Sequence, residues 1–360
     1  MRVADLTAEL VAFPTQQAGP ERGGGDERAL CDYVAPMLRA AGADQVIVEA
    51  VPRSDGDPGA YVFARWGTPR RLINVHVDTV PANAGWSRDP WTPYIAEGKL
   101  YGLGSADTKG AIAATIVAMD GTRPRDFGVL FSGDEEAGSG VITAFLAGPH
   151  AAEIREVIVC EPTARTAGIA HRGVLGQRAR LRGPGGHSSK ADHQPKPLAR
   201  LCRLAVALDD IAVRRVSDGP AGMQGTCMNI AALHGGVAFN VIPAHGELEW
   251  SIRPYPGFDR AGWDQELAQA AAAIDPKIEL LNLIDHVPFA CEALAEHVRP
   301  FVKSVGSLDF WTEAALWAQH GKDAIVIGPG NIAQAHAADE YVTLDDLEWA
   351  VSLFRSLLRA

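Results

Sequence analysis

Residues 74–81 read NVHVDTVP and directly follow the apolar pair Leu72 and Ile73. The apolar residues predict a buried β-strand, but this strand ends with an imidazole and a carboxylate, at His76 and Asp78. Side chains two positions apart point to the same face of a strand, so the polar pair shares one face and the valines lie on the other. A polar pair at the end of a buried strand indicates a functional site at that end.

The chain around this strand alternates apolar strands with helices. Strands are predicted at 45–51, 60–66, 71–77, 127–133 and 156–162. Helices are predicted at 5–13, 27–43, 107–120 and 140–148, and a glycine-rich polar loop at 19–28. This alternation predicts an α/β fold with a mixed, mostly parallel sheet and helices on both of its faces.

The pattern changes at about residue 173. The order becomes strand, helix, strand, strand, helix, strand, which is typical of a ferredoxin-like α+β domain with four antiparallel strands. The first pattern resumes with helices at 293–306, 311–321 and 344–360 and a strand at 324–330. We therefore predict one α/β domain formed by residues 1–172 and 287–360, with a second domain inserted at 173–286.

The composition argues against several kinds of partner and site. The formal net charge of −11 disfavours nucleic acid and anionic membranes, because both bind cationic surfaces. The N-terminal residues MRVADLTAEL carry acids where a signal peptide has an apolar core, so we expect a cytoplasmic protein. Five scattered cysteines without a CxxC pair disfavour a disulfide framework or a cysteine zinc site.

Histidines and carboxylates follow several predicted strands or lie in the loops beyond them. In open α/β sheets, ligands bind at the carboxyl ends of the strands, so these side chains are expected to meet at one edge. Each has a plainer explanation by itself: Asp107 could cap a helix, and a lone histidine at a strand end is often structural. The residues at this edge are His76, Asp78, Asp107, Asp134, Glu135, Glu136, Glu161 and His336.

A bare group of carboxylates is unstable, because the charges repel and most of the acids would have to protonate. Divalent cations remove this conflict, and mixed histidine and carboxylate ligands suit zinc, cobalt or manganese. Two ions that share one bridging carboxylate would use His76, Asp107, Glu136, Glu161 and His336. Glu135 is then left beside the ions to handle a proton.

Seven motifs along the chain form a recognisable series. They are NVHVDTVP (74–81), YGLGSADTKG (101–110), SGDEEAG (132–138), VCEPT (159–163), GGHSS (185–189), FNVIP (239–243) and GPGNIAQAHAADEYV (328–342). In this order they resemble the M20 family of dinuclear zinc deacylases and peptidases. DFWTEA (309–314) resembles the branch of that family that deacetylates N-acetylornithine and N-acetylcitrulline. The resemblance implies a zinc-peptidase-like catalytic domain and an inserted lid and dimerisation domain.

The resemblance implies a role for each candidate ligand. His76, Asp107 and Glu161 would hold one metal ion. Asp107, Glu136 and His336 would hold the other, with Asp107 as the bridge. The ions implied are two Zn²⁺, with Co²⁺ as the alternative. A cis peptide bond is also implied after Asp107.

The resemblance also assigns residues around the metals. Glu135 would be the general base, and Asp78 would accept a hydrogen bond from the second nitrogen of His76. His187 would reach across a homodimer into the partner's active site, although a histidine in a Gly/Ser loop could equally be plain surface. The substrate contacts implied are Arg253, Asn240 and Gly330.

The activity implied is hydrolysis of the amide bond of an N-acetyl amino acid, giving acetate and the free amino acid in arginine biosynthesis. The sequence does not distinguish N-acetylornithine from N-acetylcitrulline as the substrate. Two alternatives within the enzymes remain: desuccinylation of succinyl-diaminopimelate, and an M20-type dipeptidase or carboxypeptidase activity. A third alternative is an inactive metal-binding protein, against which the spare carboxylate of Glu135 argues.

Overall fold

The computed structural model describes residues 2–18, 25–53, 58–122 and 124–359. Residues 19–24 of the predicted glycine-rich loop therefore lie outside the described residues. Contacts between residues divide the chain into two compact units. The first unit comprises Met1–Ile169, Cys291–Gly306 and Thr312–Ala360, and the second comprises Ala170–Ala290 and Ser307–Trp311.

The described helices vary in length from one turn to five. They are α1 (Val3–Val11), α2 (Glu27–Ala40), α3 (Gly110–Ala118), α4 (Gly140–Ala147), α5 (Pro197–Arg214), α6 (Arg260–Ile274), α7 (Ala295–Val298), α8 (Ala314–Gln319) and α9 (Leu344–Leu357). A π turn at Ser105–Lys109 precedes α3, and short 3₁₀ turns lie at Pro149–Ala151, Ser188–His193 and Arg299–Phe301. None of the helices within the described residues is long and apolar enough to cross a membrane.

The strands fall into one large sheet and several smaller ones. They are β1 (Gln45–Val51), β2 (Gly59–Trp66), β3 (Arg71–His76), β4 (Tyr94–Ala96), β5 (Lys99–Tyr101), β6 (Phe127–Ser132), β7 (Glu156–Val159), β8 (Thr166–His171), β9 (Val174–Arg182), β10 (Gly186–His187), β11 (Asn229–Gly235), β12 (Val241–Ile242), β13 (His245–Ile252), β14 (Glu279–His286), β15 (Phe289–Ala290), β16 (Ser304–Leu308), β17 (Asp323–Val326) and β18 (Tyr341–Thr343).

The sheet of the first unit has the strand order β1-β2-β6-β3-β7-β17-β8. Its central strands β6, β3, β7 and β17 are parallel, whereas β1 and β2 at one edge and β8 near the other are antiparallel to their neighbours. The predicted class, an α/β fold on a mixed sheet with a parallel centre, is confirmed. The parallel centre brings the carboxyl ends of β3, β6, β7 and β17 to one edge.

Helices pack on both faces of this sheet. Ile73 and Val75 point to one face and join a core that also contains residues of α1, α2, α3 and α9. Asn74 points to the other face, where its side chain accepts a hydrogen bond of 2.8 Å from Nε1 of Trp317 in α8. Trp317 packs edge-on against Phe145 of α4. The alternation of side chains along β3 therefore fits the predicted two-faced strand.

The second unit has the predicted ferredoxin-like order. Its four antiparallel strands follow the order β11-β13-β9-β14, and the chain passes β9-α5-β11-β13-α6-β14. Leu181 and Leu248 of the sheet form a core with Leu204 of α5 and Leu267 of α6. This apolar layer between one sheet face and the two helices makes the unit an independent α+β fold.

Two predicted helices differ from the structure. The helix predicted at 107–120 begins only at Gly110, because Asp107 and Thr108 have non-helical backbone angles within the preceding π turn. The helix predicted at 293–306 ends at Val298 and is followed by a 3₁₀ turn and by β16. Pro300 explains this early end, because proline lacks the N–H that a continuing helix needs.

Candidate metal centre

His76 is the last residue of β3 and its side chain is buried at the carboxyl edge of the sheet. Its Nε2 lies 2.9 Å from Oδ1 of Asp107 and 3.9 Å from Oε2 of Glu161. Asp107 belongs to the π turn, and Glu161 follows β7 by two residues. One donor atom from each of the three lies within 4.8 Å of the others, so the group could hold a metal ion.

A second group of potential ligands shares Asp107. Nε2 of His336 lies 2.9 Å from Oε1 of Glu136 and 3.5 Å from Oδ2 of Asp107. Their donor atoms also lie within 4.8 Å of one another. The His336 side chain is 52% exposed and that of His76 only 2%, so the second group is the one that solvent reaches.

Electrostatics in this group of acids is unfavourable without cations. Burial raises the pKa of Glu161 well above its usual value. Burial and the charge of Glu161 do the same to Glu135. A hydrogen bond to Glu136 raises the pKa of His336 to about 9. Imidazole and carboxylate donors without a thiolate suit zinc or cobalt, so the residues present fit two divalent ions that share Asp107.

Glu135 lies beside both groups of ligands but belongs to neither. Its backbone N–H donates a hydrogen bond of 3.2 Å to Oδ1 of Asp78. No residue in the described part of the chain makes a hydrogen bond to its carboxylate. Its raised pKa and the lack of a hydrogen-bond partner for its carboxylate among the described residues suit Glu135 to accept and release a proton.

A comparison with known families identifies the chain. Residues 72–360 match the model of Peptidase family M20/M25/M40. The chain belongs to this M20 family. The two groups of ligands, which extend from His76 to His336, lie entirely within the matched residues.

Curated relatives of this M20 chain include several amide hydrolases. N-acetyl-L-citrulline deacetylase of Xanthomonas campestris pv. campestris is 37% identical over 94% of this chain and 92% of its own length. An acetylornithine deacetylase of Proteus mirabilis is 29% identical, over 98% of this chain and 95% of its own. A succinyl-diaminopimelate desuccinylase of Stenotrophomonas maltophilia is also 29% identical, over 99% and 98% of the two chains.

Solved M20 structures share the fold of this chain. An M20 metallo-carboxypeptidase of Sulfolobus solfataricus has a TM-score of 0.78 at 16% identity, covering 100% of this chain and 99% of that one. A dinuclear metal-binding M20 peptidase of Bacillus subtilis has a TM-score of 0.68 at 13% identity, covering 99% and 96%. The shared architecture confirms the predicted fold class, an α/β catalytic domain with an inserted ferredoxin-like α+β domain.

In this M20 chain, Asp78 contacts His76 differently from the expected side-chain pair. Nδ1 of His76 lies 3.0 Å from the backbone oxygen of Asp78 and 3.5 Å from its carboxylate Oδ1. The carboxylate accepts the backbone N–H of Glu135 and, at 3.0 Å, that of Glu136. Asp78 therefore holds the backbone of residues 135–136, which carries the potential ligand Glu136, as well as the imidazole of His76.

Glu340 is not among the residues predicted from the sequence, yet it holds the turn that carries Asp107. Its buried carboxylate accepts the backbone N–H groups of Gly104, Ala106 and Asp107 at 3.0, 2.8 and 3.1 Å. Burial raises its pKa to about 8. Glu340 follows His336 by four residues, so one short segment supplies both the candidate ligand His336 and the support of the turn that carries Asp107.

Gly330 lies against the same turn. Its φ of +89° is in the left-handed region, and a Cβ at this position would lie 3.0 Å from Cβ of Ala106. Its carbonyl accepts the backbone N–H of Ala164. The glycine therefore allows the segment before His336 to approach the turn of Asp107 closely. Its predicted contact with substrate stays a prediction.

The other predicted substrate residues lie in the second unit. His187 is exposed in β10, and its Nδ1 lies 2.8 Å from Oγ of Ser189. Asn240 is exposed one residue before β12, and its carbonyl accepts the N–H of Ser188. Arg253 instead lines a cavity of about 260 Å³ whose lining includes neither of the other two.

Proposed function

We propose that this protein is a metal-dependent hydrolase that removes the acetyl group from an N-acetyl amino acid, giving acetate and the free amino acid. The observation that carries this proposal is the pair of potential ligand groups that share Asp107, beside Glu135, whose carboxylate accepts no hydrogen bond from the described residues. The likeness to deacetylases of N-acetylcitrulline and N-acetylornithine supports these substrates, and with them a cytoplasmic step of arginine biosynthesis.

The chain's own residues supply most of the chemistry. Two divalent ions, Zn²⁺ or Co²⁺, held by the two ligand groups would acidify a water molecule and polarise the amide carbonyl. Glu135 accepts the proton of the attacking water and returns it to the leaving amine nitrogen. Asp107 holds its two carboxylate oxygens toward different ligand groups, which is the arrangement a bridging ligand needs.

Residues of the second unit are proposed to bind the substrate. The guanidinium of Arg253 donates no hydrogen bond within the described residues and lines a cavity, so it is available to fork onto an α-carboxylate. Asn240 and Gly330 are proposed as further contacts. His187 exposes its imidazole and is proposed to donate to the carbonyl oxygen as negative charge develops there.

We infer that the second unit, predicted at 173–286, acts as a lid and dimerisation domain in a homodimer. Phe239 and Val237 are 99% and 86% exposed in the segment between β11 and β12. β11 is an edge strand of the four-stranded sheet. An open edge beside exposed apolar side chains supports association with a second copy.

Side-by-side kinetics test the proposed activity. The purified protein is given N-acetylcitrulline, N-acetylornithine, N-succinyl-diaminopimelate and a dipeptide, and the free amine is measured over time. We expect the highest kcat/KM with an N-acetyl amino acid, and a loss of about 10²–10⁴-fold in the Glu135→Gln variant. Preference for the succinyl substrate or for a dipeptide would replace the proposal with those activities. No turnover of any of them by the metal-loaded protein would favour a non-enzymatic metal protein.

A further inference from the structure

A buried polar network contacts the Asp78 carboxylate. It contains Gln17, which is 5% exposed, Glu27, which is 4% exposed, and Arg53, whose side chain is 7% exposed. All three precede residue 72, where the match to the M20 family model begins. Buried polar groups cost free energy unless they are hydrogen-bonded, so the contacts of this network indicate what it holds in place.

Gln17 is fixed in one orientation. Its Oε1 accepts a hydrogen bond of 2.9 Å from Nη1 of Arg53. A guanidinium can only donate, so it sets which end of the amide carries the oxygen. The Nε2 group must then face the carboxylates, and it donates to Oδ2 of Asp78 at 2.6 Å and to Oε1 of Glu27 at 3.1 Å. The backbone N–H of Gln17 donates to the carbonyl of Thr79 at 2.8 Å, which anchors the residue beside Asp78.

Glu27 contacts the start of the turn at residues 133–136, whose later N–H groups donate to Asp78. Its Oε1 accepts the backbone N–H of Asp134 at 3.2 Å, and its Oε2 that of Ala60 at 2.8 Å. A Cβ at Gly133 would lie 1.6 Å from Oε2 of Glu27, so the carboxylate rests directly on the glycine backbone. Glu27 therefore touches the chain immediately before Glu135.

The hydrogen bonds of Asp78 show why Gln17 matters. Its two backbone donors, Glu135 and Glu136, belong to the turn that Asp78 itself supports. Among the described residues, two side chains from outside this turn approach the Asp78 carboxylate: the ring of His76 and the amide of Gln17. Without it the carboxylate and the turn could shift together.

We propose that Gln17 is a positioning residue for the metal centre. Held by Arg53 and Glu27, it fixes the Asp78 carboxylate, and Asp78 in turn orients His76 and the turn with the base and one ligand. This inference rests on the proposed function, because it assumes that the two ligand groups bind ions. The proposal gives the N-terminal segment a role in metal binding, although Gln17 lies 61 residues before Asp78 along the chain.

The test compares two glutamine variants of the full chain. Gln17→Met removes the amide and keeps the side-chain length. Gln177→Met is the matched control: Gln177 is 4% exposed in the second unit and also makes three side-chain hydrogen bonds. Those bonds join it to Asn282, Trp250 and Trp263. The dissociation constants of Zn²⁺ are measured by chelator competition, and the visible absorption of the Co²⁺-loaded protein reports coordination geometry.

We expect Gln17→Met to weaken metal binding about 10–100-fold and to change the Co²⁺ spectrum. With substrate, kcat should fall while KM changes little, since the residue does not touch substrate. Gln177→Met should lower Tm but keep the parent's metal affinity and spectrum. If Gln17→Met does not fold, Gln17→Asn decides, because it keeps a polar amide at this position but is one methylene too short to bond Arg53 and Asp78 together.

Unchanged affinity and spectrum in the folded Gln17 variant would overturn the inference. An equal loss of affinity in Gln177→Met would also overturn it, because the effect would then be general destabilisation. If the parent protein itself binds no pair of ions, the proposed function fails instead. The two failures are therefore distinguishable in one set of measurements.

Discussion

At Asp78, a single buried carboxylate accepts N–H groups from Glu135, Glu136 and Gln17 and lies beside the ring of His76. Oδ1 accepts from the backbone of Glu135, and Oδ2 accepts from the backbone of Glu136 and the side chain of Gln17. Burial would raise its pKa, but interactions with His76 and these N–H donors outweigh burial and lower it. The group therefore stays ionised in the interior and can anchor the imidazole on one side and the acidic turn on the other.

The Asp78→Asn variant tests this anchoring. An amide has one oxygen, so whichever way it turns, its NH₂ group faces at least one N–H donor. We expect the fold to persist and metal affinity or kcat to fall about 10–100-fold. Asp126→Asn is a control, because Asp126 also accepts a backbone N–H but lies at the opposite end of the strands. A fully active Asp78→Asn protein would mean that the carboxylate positions nothing.

Residues whose spacing along the strands carries the signal could be predicted from the sequence to lie close together, and they do. His76 ends β3 and Asp78 lies two residues beyond it, and both groups of potential ligands lie at the edge where the parallel strands end. Gln17 and Glu27 gave no such signal. Gln17 is 61 residues from Asp78 along the chain, and an acid in the first turn of a helix, such as Glu27, has an ordinary explanation in the helix dipole. Only tertiary packing reveals that it is buried.

At the scale of elements, the π turn that precedes α3 is held from outside. Its N–H groups at Ala106 and Asp107 donate to Glu340 rather than to carbonyls one turn back. The segment of Glu340 is itself anchored, because β18 pairs with β5 and the N–H of Gly102 donates to the Glu340 carbonyl. The position of the Asp107 carboxylate thus depends on the pairing of β18 with β5, which lie more than 230 residues apart along the chain.

The Glu340→Gln variant measures this support. The carboxylate accepts three N–H groups, and an amide that replaces it must turn its NH₂ toward one of them. We expect the free energy of unfolding to fall by about 1–3 kcal/mol in urea titrations of the metal-free protein. Glu348→Gln on the exposed face of α9 should change it by less than about 0.5 kcal/mol. Equal stability of the two variants would argue against the buried contacts.

Element boundaries were predictable where periodicity alone sets them. The parallel strands and the ferredoxin-like order followed from apolar patterns. The helix predicted from residue 107 was wrong at its start, because Glu340, more than 230 residues away, takes the N–H groups of the turn. The small residues of this segment are compatible with a helix, so the local sequence does not show that Glu340 would bind the N–H groups of the turn.

For the whole molecule, metal removal should lower stability in one unit. Both ligand groups lie in the first unit, and ions that bind only the folded state stabilise it by about 4 kcal/mol at a thousandfold excess over Kd. We expect chelation to lower Tm in calorimetry and readdition of Zn²⁺ to restore it. The His76→Ala variant should show a much smaller shift. If the chelator left the Tm of the parent protein unchanged, the result would contradict a metal centre in the first unit.

Subunit mixing tests whether His187 acts on the partner's site. If each site uses its own Glu135 and the partner's His187, a heterodimer of Glu135→Gln and His187→Ala chains has one intact site. Random exchange of the two inactive variants should then restore about a quarter of the parent activity in a symmetric dimer. If both residues serve the same chain's site, no mixture regains activity. Each variant refolded alone is the control.

The contact between Glu27 and Gly133 links two positions in evolution. Any side chain at 133 would occupy the space of the Glu27 carboxylate, and loss of that carboxylate alone would leave buried N–H groups without a partner. Each single step is therefore harmful, whereas a paired change can be neutral. Among natural relatives we therefore expect positions 27 and 133 to vary together: a sequence with a polar side chain at 133, able to accept the N–H groups of residues 60 and 134, should carry a shorter residue at 27.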